Sequence, residues 1–165
     1  MNILSLFENI KAFAFDLDGV LTDGFLHVQE SGEMLRRMSI KDGYALKLAA
    51  KKGYKVWIIS GGHSEACMKR LQNLGIQDIY IRVDDKLETF KKLIDESGLS
   101  KEQVLFMGDD MPDIACMQHS GLATCPNDAA VEVCNAATYI SPIKGGIGCV
   151  RDVIEKVLKI NNDWE

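Results

Sequence analysis

Apolar residues in this chain fall into two rhythms, short unbroken runs and longer stretches with a helical repeat, and the two alternate along most of its length. Residues 12–15, 55–59, 79–83 and 103–107 are short, mostly apolar runs rich in Phe, Ile, Val and Trp, each followed by Ser, Asp or Gly. Runs of that kind predict strands buried on both faces. Residues 122–125 and 138–140 predict two further short strands. Between them lie helical patterns. Ala45, Leu46, Leu48 and Ala49 share a face in a helix predicted over 42–52 and closed by Gly53, and a second helix over 64–74 closes at Gly75. Leu87, Phe90, Leu93 and Ile94 mark a third, ended by Gly98, and a fourth starts near Pro112. A short helix is predicted over 128–134. Val150, Val153, Ile154, Val157 and Leu158 repeat at i, i+3, i+4, i+7 and i+8 in the last. One segment breaks the alternation. Residues from about 25 to 40 read as a β-hairpin turning at Glu30-Ser31-Gly32-Glu33, with Arg36 and Arg37 on its second arm and Lys41 just beyond. Such an arm is either a solvated basic edge or a flap that reaches an anion. The pattern predicts a single α/β domain over residues 1–165: a doubly wound parallel sheet with a β-hairpin flap, without repeats or linkers.

In a parallel sheet of this kind, chemistry gathers at the carboxyl ends of the strands. The first strand stops at Asp16-Leu17-Asp18-Gly19, the second at Ser60-Gly61-Gly62, and the fourth at Gly108-Asp109-Asp110-Met111-Pro112-Asp113, while Lys86 follows the third after a short loop. One crevice would collect them. Asp16 and Asp18 share a small space, which suits a divalent metal or an acid/base pair. An EF-hand loop beginning at Asp16 is excluded, because Val20, Leu21 and His27 stand where ligands and the turn glycine belong.

Taken together, these groups fit phosphoryl transfer through an aspartyl phosphate. Asp16 would be the nucleophile, and Asp18 the acid that protonates the leaving alkoxide and then activates water. Mg²⁺ would be held by Asp16, Asp109 and Asp18, the last through its backbone carbonyl. Ser60 and the Gly61 amide would hold phosphate oxygens, Lys86 would counter the accumulated negative charge, and Asp110 and Asp113 would support the loop. Each position alone is a common surface or turn residue. Their joint order is far more specific.

Composition narrows the setting. With 165 residues, 47% hydrophobic and 26% charged, the chain reads as an ordinary globular domain. A formal net charge of −5 argues against nonspecific nucleic-acid binding and requires cations placed locally for an anionic substrate. Cys67, Cys116, Cys125, Cys134 and Cys149 are odd in number and form no C-x-x-C pair, which predicts reduced thiols in a cytoplasmic protein. Residues 1–11 carry no signal-peptide pattern, and no segment offers the roughly 18 apolar residues of a membrane span.

The stretches Asp-Leu-Asp-Gly-Val-Leu-Thr-Asp-Gly, Ile-Ile-Ser-Gly-Gly, Lys86 and Gly-Asp-Asp-Met-Pro-Asp resemble the four motifs of the haloacid dehalogenase superfamily, whose fold is Rossmann-like. Within it the chain is most similar to the capless 3-deoxy-D-manno-octulosonate 8-phosphate phosphatase family. Thr22-Asp23-Gly24, residues 38–44 and residues 144–152 support the match. The intervals from Asp18 to Ser60 and from Lys86 to Asp109 are too short for a separate cap domain. The resemblance implies a cytoplasmic Mg²⁺-dependent phosphatase of a small phosphorylated sugar acid, serving lipopolysaccharide precursor synthesis. It also implies a homotetramer with the hairpin at a subunit interface, where a neighbouring subunit helps close the site, and substrate contacts at Asp18, Met38, Ser39, Ile40, Lys41, Asp42, Gly61, Arg70 and Lys86. Two positions depart from the family pattern. Gly62, followed by His63, stands where members acting on the eight-carbon acid typically carry Arg, and Ile147 stands where Arg is common. A nine-carbon, sialic-type acid phosphate is the rival substrate. A receiver-type signalling module would place its phosphorylated Asp after a middle strand, whereas the nucleophile here ends the first. A catalytically silent assembly domain would not need Asp16, Asp18, Ser60, Lys86 and Asp109 together.

Overall fold

A computed structural model of the protein describes residues 3–165. Its centre is strand β1 (Ala12–Phe15), buried along its whole length. β1 lies between β4 (Lys55–Ile59) and β6 (Val104–Met107), parallel to both, and the sheet extends through β5 (Asp78–Tyr80) on one side and β7 (Leu122–Cys125) and β8 (Tyr139–Ile140) on the other. The order is β5-β4-β1-β6-β7-β8, every pairing parallel. The chain winds outward from β1 first in one direction and then in the other, so a crevice opens outside the carboxyl ends of β1, β4 and β6.

Alternation along the strands divides the core into two layers. Phe13 and Phe15 face one side with Val56, Ile58, Leu105 and Met107, where α1 (Ile3–Glu8), α2 (Ile40–Lys51) and α7 (Cys149–Ile160) cover them. Ala12 and Ala14 face the other with Trp57, Ile59 and Phe106, against α4 (Lys86–Ser97), α5 (Ile114–His119) and α6 (Val131–Ala136). The small alanines of β1 leave room there for rings. Phe90 of α4 meets Phe106 and Trp57 edge-on, with centroids 5.1 and 6.4 Å away. Near the C-terminus, Trp164 packs on the first layer, with the Arg151 guanidinium 5.2 Å from its ring and Tyr44 edge-on at 5.8 Å.

The remaining elements are α3 (Glu65–Asn73) and the hairpin of β2 (His27–Val28) and β3 (Met34–Leu35). The hairpin is present but its ladder is only two residues per strand, and Phe25 and Val28 are 78% and 65% exposed. Four further elements differ from the pattern read along the chain. α1 was not foreseen, because a six-residue helix leaves almost no periodicity to read. The strand predicted over 79–83 stops at Tyr80, since Arg82 takes a left-handed conformation (φ 55°) as the chain turns toward the site. The helix predicted over 128–134 runs instead from Val131 to Ala136. The helix expected near Pro112 begins as a tight 3₁₀ turn over Met111–Asp113 before continuing as α5.

Candidate active site

Asp16 is the first residue past β1, and its amide still donates to Met107 O at 3.0 Å, so the ladder fixes its direction. Beyond it the backbone makes one wide helical turn, closed by Thr22 N–H donating to Leu17 O at 3.0 Å. Gly19 adopts φ 85° inside that turn, and a Cβ there would collide with the Asp109 carboxylate. The glycine is therefore required twice, for its conformation and for the approach of Asp109. The buried Thr22 hydroxyl ties the turn together, accepting from the amides of Gly19 (3.3 Å) and Gly24 (3.2 Å) and donating to Asp18 Oδ1 (3.3 Å).

Ser60 follows β4, where its backbone is held by Tyr80 O and the Val83 amide and its Oγ accepts from Gly62 N–H at 3.1 Å. That leaves its O–H hydrogen free to donate into the cleft. Lys86 opens α4 and is almost buried, with Nζ 2.9 Å from Asp16 Oδ1 and 2.8 Å from Asp113 Oδ1. Asp113 spends its other oxygen on the amides of Asp109 (3.0 Å) and Asp110 (3.3 Å), while Asp110 caps the 3₁₀ turn by accepting from Met111 N–H at 2.8 Å. These groups line one cavity of about 640 Å³ together with Asp18, Gly61 and Gly62.

Electrostatics in the cavity is that of too many acids for one lysine. Burial and the Asp113 charge push the Asp16 carboxyl upward against the pull of Lys86. Burial and the charges of Asp16 and Asp113 push Asp109 upward as well. Burial alone would lower Lys86, but the two carboxylates outweigh it and hold its ammonium firmly charged. One oxygen of each of Asp16, Asp109 and Asp113 lies within 4.8 Å of the others. Asp113 is already committed to Lys86 and two amides. Asp109 Oδ1, in contrast, is buried with no hydrogen-bond partner. A hard divalent cation between Asp16 and Asp109 would satisfy that oxygen and relieve the repulsion, so the donor set fits Mg²⁺. The Asp18 side chain points elsewhere, forked by Arg36 with Nε to Oδ1 at 2.8 Å and the second nitrogen to Oδ2 at 3.2 Å.

The other sequence-derived contacts scatter. Met38 and Arg70 line a neighbouring hollow between the hairpin and α3, which Arg36 borders too. Ser39 caps α2, accepting from the amides of Lys41 and Asp42. Ile40 is 82% exposed, and Lys41 lies on the α7 side, away from the cavity. Asp42 is 1% exposed and accepts from Arg151 N–H at 2.7 Å, so it caps the start of α7, whose own N-cap, Gly148, has no side chain to offer. Two participants went unassigned in the sequence. The Arg36 fork shows in the sequence as a basic hairpin arm, either a solvated edge or a flap that reaches an anion, with no anion assigned to it, and Thr22 as one residue of an extended motif. A hydroxyl closely following an Asp-x-Asp-Gly turn is the signal that could have found the second.

A family model described as haloacid dehalogenase-like hydrolase matches residues 32–121. The 3-deoxy-D-manno-octulosonate 8-phosphate phosphatase of Escherichia coli K12 is 32% identical over 157 residues, covering 95% of this chain and 84% of that protein. The phosphatase of that name from Moraxella catarrhalis, solved in complex with a magnesium ion, a phosphate ion and a KDO molecule, superposes with a TM-score of 0.94 at 30% identity, covering 98% of this chain and 93% of that one. The cobalt-bound deoxy-D-mannose-octulosonate 8-phosphate phosphatase of Haemophilus influenzae gives a TM-score of 0.90 at 30% identity, covering 96% and 93%.

Proposed function

Because the chain belongs to the haloacid dehalogenase-like hydrolases and, within them, to the 3-deoxy-D-manno-octulosonate 8-phosphate phosphatase family, we propose that it is a Mg²⁺-dependent phosphatase hydrolysing that eight-carbon sugar-acid phosphate to the free acid and phosphate. The observation that carries the reading is the buried, unpartnered Asp109 oxygen beside Asp16, in the wall of a cavity that Ser60 and Lys86 also line. A silent domain has no use for that uncompensated cost.

Asp16 attacks phosphorus, forming an aspartyl phosphate as the bond to the sugar oxygen breaks. Asp18 gives that oxygen its proton. Asp18 then takes a proton from water, which attacks the phosphoryl group and releases phosphate and the Asp16 carboxylate. Lys86, held between Asp16 and Asp113, aims Asp16 and offers positive charge to the phosphoryl oxygens. The Ser60 hydroxyl and the Gly61 amide orient those oxygens. Mg²⁺, held by Asp16, Asp109 and the Asp18 carbonyl, would supply charge neutralisation between phosphate and carboxylates.

Among the described residues no separate domain covers the cavity, so water has to be excluded by something else. The exposed apolar residues Phe25, Leu26, Val28, Met34 and Leu35 of the hairpin support assembly into a homotetramer in which a neighbour closes the site. A cytoplasmic role in supplying a lipopolysaccharide precursor completes the proposal; among the described residues no helix is long and apolar enough to cross a membrane.

Phosphate release with Mg²⁺ from the eight-carbon acid phosphate, its nine-carbon counterpart and neutral hexose phosphates, at equal concentration, tests the reading. Expected are preference for the eight-carbon acid, loss on chelation, and loss in Asp16→Asn with the fold retained. Preference for the nine-carbon acid would reassign the substrate, and no release from any of them would overturn the proposal.

A further inference from the structure

Arg36 leaves an otherwise exposed hairpin and buries its side chain to 9% exposure on the wall of the site. Nothing in the hairpin's own pairing calls for this, since the ladder ends at Leu35. The room exists because residue 62 is glycine. A Cβ there would lie 3.1 Å from Asp18 Oδ2 and 3.7 Å from the guanidinium, so any longer side chain would compete for the space Arg36 fills.

Charge makes the placement consequential. Seven aspartates and a single lysine line the cavity, and that lysine is engaged by Asp16 and Asp113. Lys86 thus serves the phosphate end. A leaving group that carries its own carboxylate would face Asp18, where Arg36 is the cation already in contact. The guanidinium stands between the cavity and the adjoining hollow of about 610 Å³, which it lines together with His63, Met38 and Arg70. That hollow is where the body of a sugar acid would extend. As long as Arg36 holds both oxygens of Asp18, neither oxygen is available to the leaving group.

We propose that Arg36 is a specificity-determining residue: its guanidinium exchanges the Asp18 carboxylate for the carboxylate of a sugar-acid leaving group, so that recognition of the acid and the freeing of Asp18 are one event. The inference rests on the sugar-acid phosphatase reading and adds to it the residue that selects the acid. A planar, bidentate donor suits both partners in turn.

The test compares kcat/KM of the Mg²⁺-loaded enzyme on the eight-carbon acid phosphate and on mannose 6-phosphate, which carries the same scissile group and no carboxylate. In Arg36→Met the preference for the acid falls by about tenfold or more, the size of one lost charge-assisted contact, with the change concentrated in KM for the acid. Arg36→Lys keeps part of it. An equal fall on both substrates would make Arg36 a scaffold residue and overturn the inference, as would a preference unchanged within about twofold, a threshold set well below one such contact. Hydrolysis of neither substrate by the unmodified enzyme would overturn the phosphatase reading as well, whereas a preference that survives Arg36→Met would overturn the role of Arg36 alone.

Discussion

Asp42 shows how far a single carboxylate can be from the role its position suggests. It sits inside the stretch that the family resemblance connects with substrate, yet its Oδ1 receives the Arg151 amide and its Oδ2 is buried without a partner. Burial pushes its pKa to about 6, against the pull of the α7 amides and the Arg151 charge. A carboxyl raised in the folded state stabilises fully below the unfolded value near 3.8, and that contribution is lost as pH rises through about 6. In Asp42→Asn the capping acceptor is kept and the charge removed. Chemical denaturation should therefore show the variant gaining on the parent between pH 4 and pH 7, by about 1–3 kcal/mol, and a constant difference would refute the assignment. Asp109 gives the complementary case. Its repulsion with Asp16 destabilises the metal-free protein, so Asp109→Asn should melt higher than the parent without Mg²⁺. The parent's melting temperature should rise by about 5–10 °C at a hundredfold excess of Mg²⁺ over its dissociation constant, and the variant's should not move.

Among the elements, the hairpin is the one whose stability does not come from the core. Its two short strands expose their apolar side chains, and a lone two-stranded ribbon is marginal in water. Association with other copies would supply the missing burial. Replacing Phe25 and Val28 by Asp should convert a larger species into one of 18.3 kDa in sedimentation, with the sheet intact by circular dichroism and activity reduced. A parent that already sediments at that mass would contradict the tetramer. The hairpin was legible because Glu-Ser-Gly-Glu punctuates it, and the central strands because burial on both faces forces unbroken apolar runs. α1 was not, being too short to repeat. Nor was the end of β5, where Ile81 and Val83 keep a strand-like composition although Arg82 has already turned the backbone. In the site, the acids, Ser60 and Lys86 were legible because strand ends place them. Asp42 reaches across 109 positions of sequence to α7 and Arg36 across 18 to Asp18, and no local pattern encodes such contacts.

At the scale of the whole molecule, a net charge of −5 surrounds a site meant for an anion, and Lys86 and the hairpin arginine place positive charge against that field where it is needed. The central sheet that fixes this arrangement also separates two apolar layers, and each layer owns one of the two tryptophans: Trp57 buried among rings on one face, Trp164 stacked near Arg151 on the other. The protein thus carries a built-in pair of optical reporters, one per face. In Trp57→Phe and Trp164→Phe variants the remaining indole watches a single layer melt. If the shared sheet couples the layers into one cooperative unit, each variant's fluorescence transition will coincide with its own far-ultraviolet dichroism transition. An emission change that precedes loss of dichroism in one variant alone would identify the layer that lets go first.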